Sequence, residues 1–118
     1  MEHQLAAYTD CNHGEGMAVL HPVYYRHIYR DGLKKFVRFA RNVWEISGEG
    51  KSEEALAEAG IDALADFIRE IGLPATLREL GMKDRKQLGE IAESCHFSPG
   101  SYRKMTSGEI LEIFQECF

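Results

Sequence analysis

The chain has 118 residues, of which 44% are hydrophobic, enough for one domain with a core of ordinary size. Its formal net charge is −5 and its lysines and arginines form only short groups, at Lys34–Lys35 and Lys83–Lys86, so no nucleic acid partner is expected. No stretch approaches the roughly 18 apolar residues of a membrane helix and no signal peptide opens the chain, so we expect a cytoplasmic protein that binds no membrane.

The three cysteines, Cys11, Cys95 and Cys117, are odd in number and include no CxxC pair. This pattern argues against a disulfide framework and against a zinc–thiolate site. The reducing cytoplasm is the natural setting for such thiols.

The first predicted element is the end of a helix, from His3 to Cys11. Asn12-His13-Gly14 is then predicted to be a turn, because Asn and Gly tolerate the left-handed conformation that ends helices. The segment Met17–Tyr29 has helical apolar spacing and is expected to kink near Pro22, which lacks a backbone donor. Since helical periodicity is established by Leu5 with no capping residue before it, we expect the chain to be part of a longer protein.

Asp31–Gly32 is predicted to end that helix and Leu33–Ile46 to form the next. Its apolar stripe consists of Leu33, Phe36, Val37, Ala40, Val43 and Trp44. The residues 47–51, SGEGK, form a loop by composition. Ser52 is predicted to cap the longest helix, and Gly72 to stop it.

Thr76–Leu80 has room for only one turn of helix. Asp84 with Gln87, and later Thr106 with Glu109, have the spacing of capping boxes that open two further helices. No segment has the alternation or the turn signals of a β-hairpin. The sequence therefore predicts an all-α bundle of about five to six helices in one domain, residues 1–118.

Two histidines near the start are the strongest candidates for a functional site. His3 and His13 are ten residues apart, too far to share a helical face through i,i+4 spacing, so a helix end and the turn after it must bring them together. With Asp10 between them, they could bind divalent iron or zinc. The alternative is a histidine at a helix end with no ligand, because such short motifs often arise by chance.

The opening residues, MEHQLAAYTDCNHGEGMAVLHPVYY, resemble the signature of the iron-containing alcohol dehydrogenases, in particular the butanol dehydrogenase-like branch. In that branch a histidine-bearing helix is followed by an HGxGxA turn. The resemblance continues through KKFVRFARNVWEI, GIDALADFIREIGLPATLRELGM and SYRKMTSGEILEIF, and so covers essentially the whole chain. It implies the all-helical C-terminal domain of a dehydroquinate synthase-like or iron-dependent alcohol dehydrogenase fold, whose N-terminal α/β dinucleotide-binding domain is absent from this chain.

The resemblance also implies the roles of the two histidines. In that family one aspartate and three histidines hold the metal. His13 would be the last of these ligands, and His3 would act in proton relay near the nicotinamide and the substrate. The preceding ligand histidine would fall four residues before His3, so this chain would carry one ligand of the four.

The implied reaction converts butanol, or a similar small alcohol, to its aldehyde and back, with Fe²⁺ or Zn²⁺ as Lewis acid and NAD(P)H as hydride carrier. A lone imidazole cannot hold such a metal, so we expect the 118-residue chain by itself to bind no cofactor and to have no dehydrogenase activity. Its partners would be the alcohol or aldehyde and the N-terminal dinucleotide-binding domain. Without that domain the chain would expose an apolar face and self-associate, as a homo-oligomer.

Two alternatives stay open at this point. One is a non-enzymatic helical interaction module, in which His3 and His13 are incidental and the apolar stripes serve a partner. The other is a glycerol dehydrogenase-like relative.

Overall fold

The computed structural model describes residues 1–118 and contains six α-helices, one 3-10 turn and no strand. The helices are α1 Glu2–Thr9, α2 His13–Ile28, α3 Leu33–Asn42, α4 Glu53–Glu70, α5 Gln87–Glu93 and α6 Ser107–Cys117, and the 3-10 turn spans Tyr29–Gly32. This confirms the predicted all-α bundle of five to six helices. None of these helices is long and apolar enough to cross a lipid bilayer.

Helix α2 lies at the centre of the bundle and packs against α1, α4 and α6. Helix α3 packs along α4, and α5 packs along α6. The core is one continuous apolar cluster, because each helix contributes a stripe of buried residues that meets the stripes of its neighbours. Its largest fully buried side chains include Leu5, Val19, Leu56, Ile61, Leu88 and Phe114.

The start and stop signals of the longest and the last helix are confirmed. The Ala55 N–H donates to Ser52 Oγ at 3.1 Å, and Gly72 after α4 has a positive φ of 80°. Before α6, the Glu109 N–H donates to Thr106 Oγ1 at 3.2 Å while the Thr106 N–H donates to Glu109 Oε2 at 2.8 Å. These reciprocal bonds form the predicted capping box.

The predicted turn at Asn12-His13-Gly14 is wrong. Asn12 is instead the N-cap of α2, since its side chain accepts the Glu15 N–H at 2.9 Å, and His13 and Gly14 belong to the first turn of that helix. The left-handed residue that ends α1 is Asp10, with φ 55°. Asn favours helix starts as well as left-handed ends, and here its capping hydrogen bond decides between the two. Helix α2 runs on through Pro22 without interruption, and the kink there stays a prediction.

The third helix is shorter than predicted and ends at Asn42 rather than Ile46. Glu45 adopts a positive φ of 53°, and the Ile46 N–H turns back to the Ala40 carbonyl at 3.1 Å, which closes the helix end. Val43, predicted in the apolar stripe, is consequently 59% exposed.

The capping box predicted at Asp84 and Gln87 is also wrong. The Asp84 carboxylate accepts the Lys86 N–H at 2.9 Å in a local turn, and α5 starts at Gln87 without a side-chain cap.

Candidate metal centre

A tight corner between α1 and α2 forms the site. The Asp10 N–H donates to the Ala6 carbonyl at 2.8 Å, which ends α1 in the left-handed turn at Asp10. Two residues later Asn12 caps α2. The corner therefore places His3, near the start of α1, beside His13, the first residue of α2.

The rings of His3 and His13 stack with their centroids 5.6 Å apart and their planes inclined by 14°. The two imidazoles are close together, as predicted, but the chain turns at Asp10 and not at Asn12-His13-Gly14. Both rings remain open to solvent, with 86% of the His3 side chain and 66% of the His13 side chain exposed.

Glu2 is the third member of the cluster, and sequence reasoning did not find it. It is the one charged side chain that the fold buries, at 6% exposure. Its Oε2 lies 2.7 Å from His13 Nδ1 and 3.5 Å from His3 Nδ1. An acidic residue in the first turn of a helix looks like a common response to the helix dipole, so its sequence position gives no sign of this burial.

Asp10 does not belong to the cluster, which corrects the proposed His3–Asp10–His13 arrangement. The donors that converge, with all ligand atoms within 4.8 Å of one another, come from Glu2, His3 and His13. Asp10 is exposed and serves the left-handed turn instead.

The donor set fits divalent iron or zinc. Imidazole nitrogen and carboxylate oxygen are ligands that both metals accept. The cluster is buried on the Glu2 side and open on the imidazole side, so ligands from outside this chain have access to the exposed rings.

A cavity of about 250 Å³ adjoins the cluster. Glu2 and His21 line it together with the apolar side chains of Met17, Leu20 and Phe97. Burial, and then the proximity of His13, lower the pKa of His21, which disfavours the charged form of this imidazole. A larger cavity of about 360 Å³, lined mainly by Tyr24, Tyr25, Phe36, Phe39 and Tyr102, has none of the three donors in its wall.

Comparison with known proteins decides the family. A model of the Fe-containing alcohol dehydrogenase family, C-terminal region, matches residues 1–118. The chain belongs to this family. The resemblance seen in the sequence is thereby confirmed.

Individual relatives agree with this family assignment. NADH-dependent butanol dehydrogenase A of Clostridium acetobutylicum is 34% identical to the chain, over all of the chain and 31% of that enzyme. A crystal structure of 1,3-propanediol oxidoreductase superimposes with a TM-score of 0.90 at 31% identity, covering 99% of this chain and 31% of that one. The butanol dehydrogenase A of Thermotoga maritima gives a TM-score of 0.85 at 26% identity, covering 98% and 31%. The chain thus spans about a third of the length of the relatives it matches.

Proposed function

We propose that this chain is the helical part of a metal-dependent, NAD(P)-linked alcohol dehydrogenase that interconverts butanol, or a similar small alcohol, and its aldehyde. One observation carries the proposal. In a chain that matches the iron-containing family throughout, two stacked imidazoles and a buried carboxylate converge at one corner of the bundle. Residues 1–118 would form one helical unit that works with an N-terminal dinucleotide-binding domain.

His13 is the residue that would hold the metal. It is fixed at the start of α2 next to the N-cap Asn12, while two thirds of its side chain is open to ligands from elsewhere. The other protein ligands would come from outside these residues, since a stable site needs three or four converging donors.

His3 would move the proton. When bound, Fe²⁺ or Zn²⁺ polarises the alcohol oxygen as a Lewis acid and the nicotinamide accepts the hydride. The Nδ1 of His3 lies 3.5 Å from the Glu2 carboxylate, and the ring would accept the alcohol proton at its other nitrogen, Nε2. Because the side chain is 86% exposed, the imidazole can pass that proton on to water.

The setting would be the cytoplasm, and the isolated chain would self-associate. All three thiols are unpaired, as in reducing compartments. Apolar surface is exposed to water near the C-terminal ends of α3 and α4. It comes from Val43, which is 59% exposed, Phe67, which is 43% exposed, and Ile71, which is 53% exposed. Light scattering over a concentration series tests the second point, and a monomer at the highest concentration would contradict it.

Fusing the chain to the part of the Clostridium acetobutylicum butanol dehydrogenase A that it does not match tests the function. We expect the fusion to bind Fe²⁺ or Zn²⁺ and to oxidise butanol with NAD(P)⁺, and the isolated chain to do neither. His13→Ala should abolish metal binding, whereas His3→Ala should keep the metal and lose about 10²–10⁴-fold in rate, as expected for loss of a proton-transfer group. His27→Gln, remote from the cluster and paired with Glu116, is the control.

Two results would refute the proposal. One is turnover by the isolated chain with added metal, which would mean that no outside ligands are needed. The other is a His13→Ala fusion that retains its metal.

A further inference from the structure

We infer that Glu2 is a positioning residue: its buried carboxylate holds the Nδ1–H of His13, and thereby presents Nε2 of that ring as the ligating nitrogen. The inference rests on the proposed function, because it assumes that His13 is a metal ligand. It adds a residue that neither the sequence pattern nor the comparison with relatives singles out.

The contact between Glu2 and His13 fixes which nitrogen carries the proton. A carboxylate can only accept hydrogen bonds, and Glu2 Oε2 lies 2.7 Å from His13 Nδ1, so Nδ1 is the donor. In a neutral ring the other nitrogen then has a free lone pair. The ring is 66% exposed, so that lone pair remains accessible.

Space for this carboxylate is provided by Gly16, in the first turn of α2. A Cβ at Gly16 would lie 2.9 Å from Glu2 Cγ and 3.1 Å from Glu2 Oε1, both closer than side-chain atoms normally approach. The glycine therefore leaves a gap that Glu2 fills.

The distance between Glu2 Oε2 and His13 Nδ1 favours a positioning role over coordination of one ion by both of these atoms. Two donor atoms on one tetrahedral zinc at bond lengths of about 2.0–2.1 Å lie roughly 3.3 Å from each other. The 2.7 Å between Glu2 Oε2 and His13 Nδ1 is shorter than this, and it is the length of a charge-assisted hydrogen bond. The same pair of atoms cannot both coordinate one ion without moving apart.

Such a partner behind a ligating histidine fixes the orientation of the ring and raises its basicity as a ligand. Loss of a partner of this kind weakens metal affinity by about 10- to 100-fold in general. We expect Glu2 to have an effect of that size on a metal held by His13.

The first test needs no metal and uses the 118-residue chain. Long-range ¹H–¹⁵N correlation spectra of the imidazoles report which nitrogen of His13 is protonated. We expect Nδ1–H in the parent chain and in Glu2→Gln, whose amide oxygen still accepts, and a mixture of both forms in Glu2→Met. Gly16→Ala should act like Glu2→Met by displacing the carboxylate, whereas Gly14→Ala, whose Cβ makes only an ordinary contact at 3.5 Å, should not.

The second test uses the fusion protein described above, loaded with Co²⁺ or Zn²⁺. Glu2→Met should weaken metal binding by about 10- to 100-fold. Glu2→Gln should retain most of the parent's metal affinity, with an unchanged Co²⁺ absorption spectrum. Glu15→Met, which removes a neighbouring carboxylate outside the cluster, should leave the affinity unchanged.

Three results would overturn the inference. An Nε2–H tautomer at His13 in the parent chain would remove its basis, and a Co²⁺ spectrum altered in Glu2→Gln would make Glu2 a direct ligand. If His13→Ala releases the metal while Glu2→Met does not, the inference fails and the proposed function stands. If His13→Ala keeps the metal, both fail.

Discussion

Replacing Gly60 by alanine should force α3 and α4 apart. Gly60 lies buried in α4, directly against Ala40 of α3. A Cβ added at Gly60 would lie 2.8 Å from the Ala40 Cβ, 3.0 Å from its Cα and 3.3 Å from its backbone nitrogen. Two of these three atoms belong to the backbone, so no side-chain rotation relieves the contact and the helices themselves must move.

The expected loss of stability follows from two opposing terms. Overpacking a well-packed core costs about 1–3 kcal/mol, and the backbone contact places this case in the upper half of that range. Replacing glycine by alanine inside a helix raises the free energy of unfolding by about 1 kcal/mol, because alanine has the higher helix propensity. The net decrease in the free energy of unfolding is therefore about 1–2 kcal/mol, which lowers Tm by roughly 4–8 °C in a domain of this size.

Thermal and urea unfolding followed by circular dichroism measure this loss. Gly89→Ala is the matched control, because Gly89 lies in α5 with nothing within 4 Å of its added Cβ, and it should raise the stability by about 0.5–1 kcal/mol. Combining Gly60→Ala with Ala40→Gly should cost less than the sum of the single changes, by at least about 0.5 kcal/mol. A Gly60→Ala protein as stable as the parent, or additive double-variant data, would refute the reasoning.

Three further changes test other parts of the fold, each by urea unfolding. Ser52→Ala removes the cap of α4 and should cost about 1 kcal/mol, and an unchanged midpoint would contradict the role of the cap. Tyr29→Phe removes a buried hydroxyl that donates to Glu58 at 2.5 Å and should cost about 1 kcal/mol, while Glu58→Gln, which keeps an acceptor, should cost less. Burial raises the pKa of the Cys117 thiol in the folded chain to about 12. Above pH 9 the thiol therefore ionises in the unfolded chain but stays protonated in the folded chain, so the free energy of unfolding falls with rising pH. The parent should lose about 2 kcal/mol from this thiol between pH 8 and 10.5, a loss that Cys117→Ala lacks, and equal pH profiles would disprove it.

Helix ends that depend on nearby residues could be predicted from the sequence. Ser52 and the Thr106–Glu109 pair were identified correctly because a cap needs only a side-chain oxygen three residues from a free N–H. The same reasoning failed at Asp84, whose carboxylate binds the nearer Lys86 N–H instead. It also failed after α3, where Glu45 takes a left-handed conformation that its residue type does not favour. Residue spacing reveals neither the competing hydrogen bond of Asp84 nor the left-handed conformation of Glu45.

The candidate site was predicted only in part. The separation of His3 and His13 required a corner between them, and the corner exists. The acidic partner was assigned to Asp10 because it lies between the histidines in sequence, whereas the carboxylate that reaches them is Glu2. Its burial depends on the gap at Gly16, a tertiary feature that no periodicity reveals.

The three residues between α1 and α2, Asp10 to Asn12, also limit how the length of this chain can vary. One inserted residue there would lengthen the connection, separate the Asp10 turn from the Asn12 cap, and shift the His13 ring relative to Glu2 and His3. The loop at residues 47–51 carries no such constraint, since it joins α3 to α4 far along the chain from the corner. Insertions and deletions are therefore expected to be tolerated at 47–51 and excluded from 10–12, which a library of single-residue insertions in the fusion protein, scored for folding and metal content, would reveal.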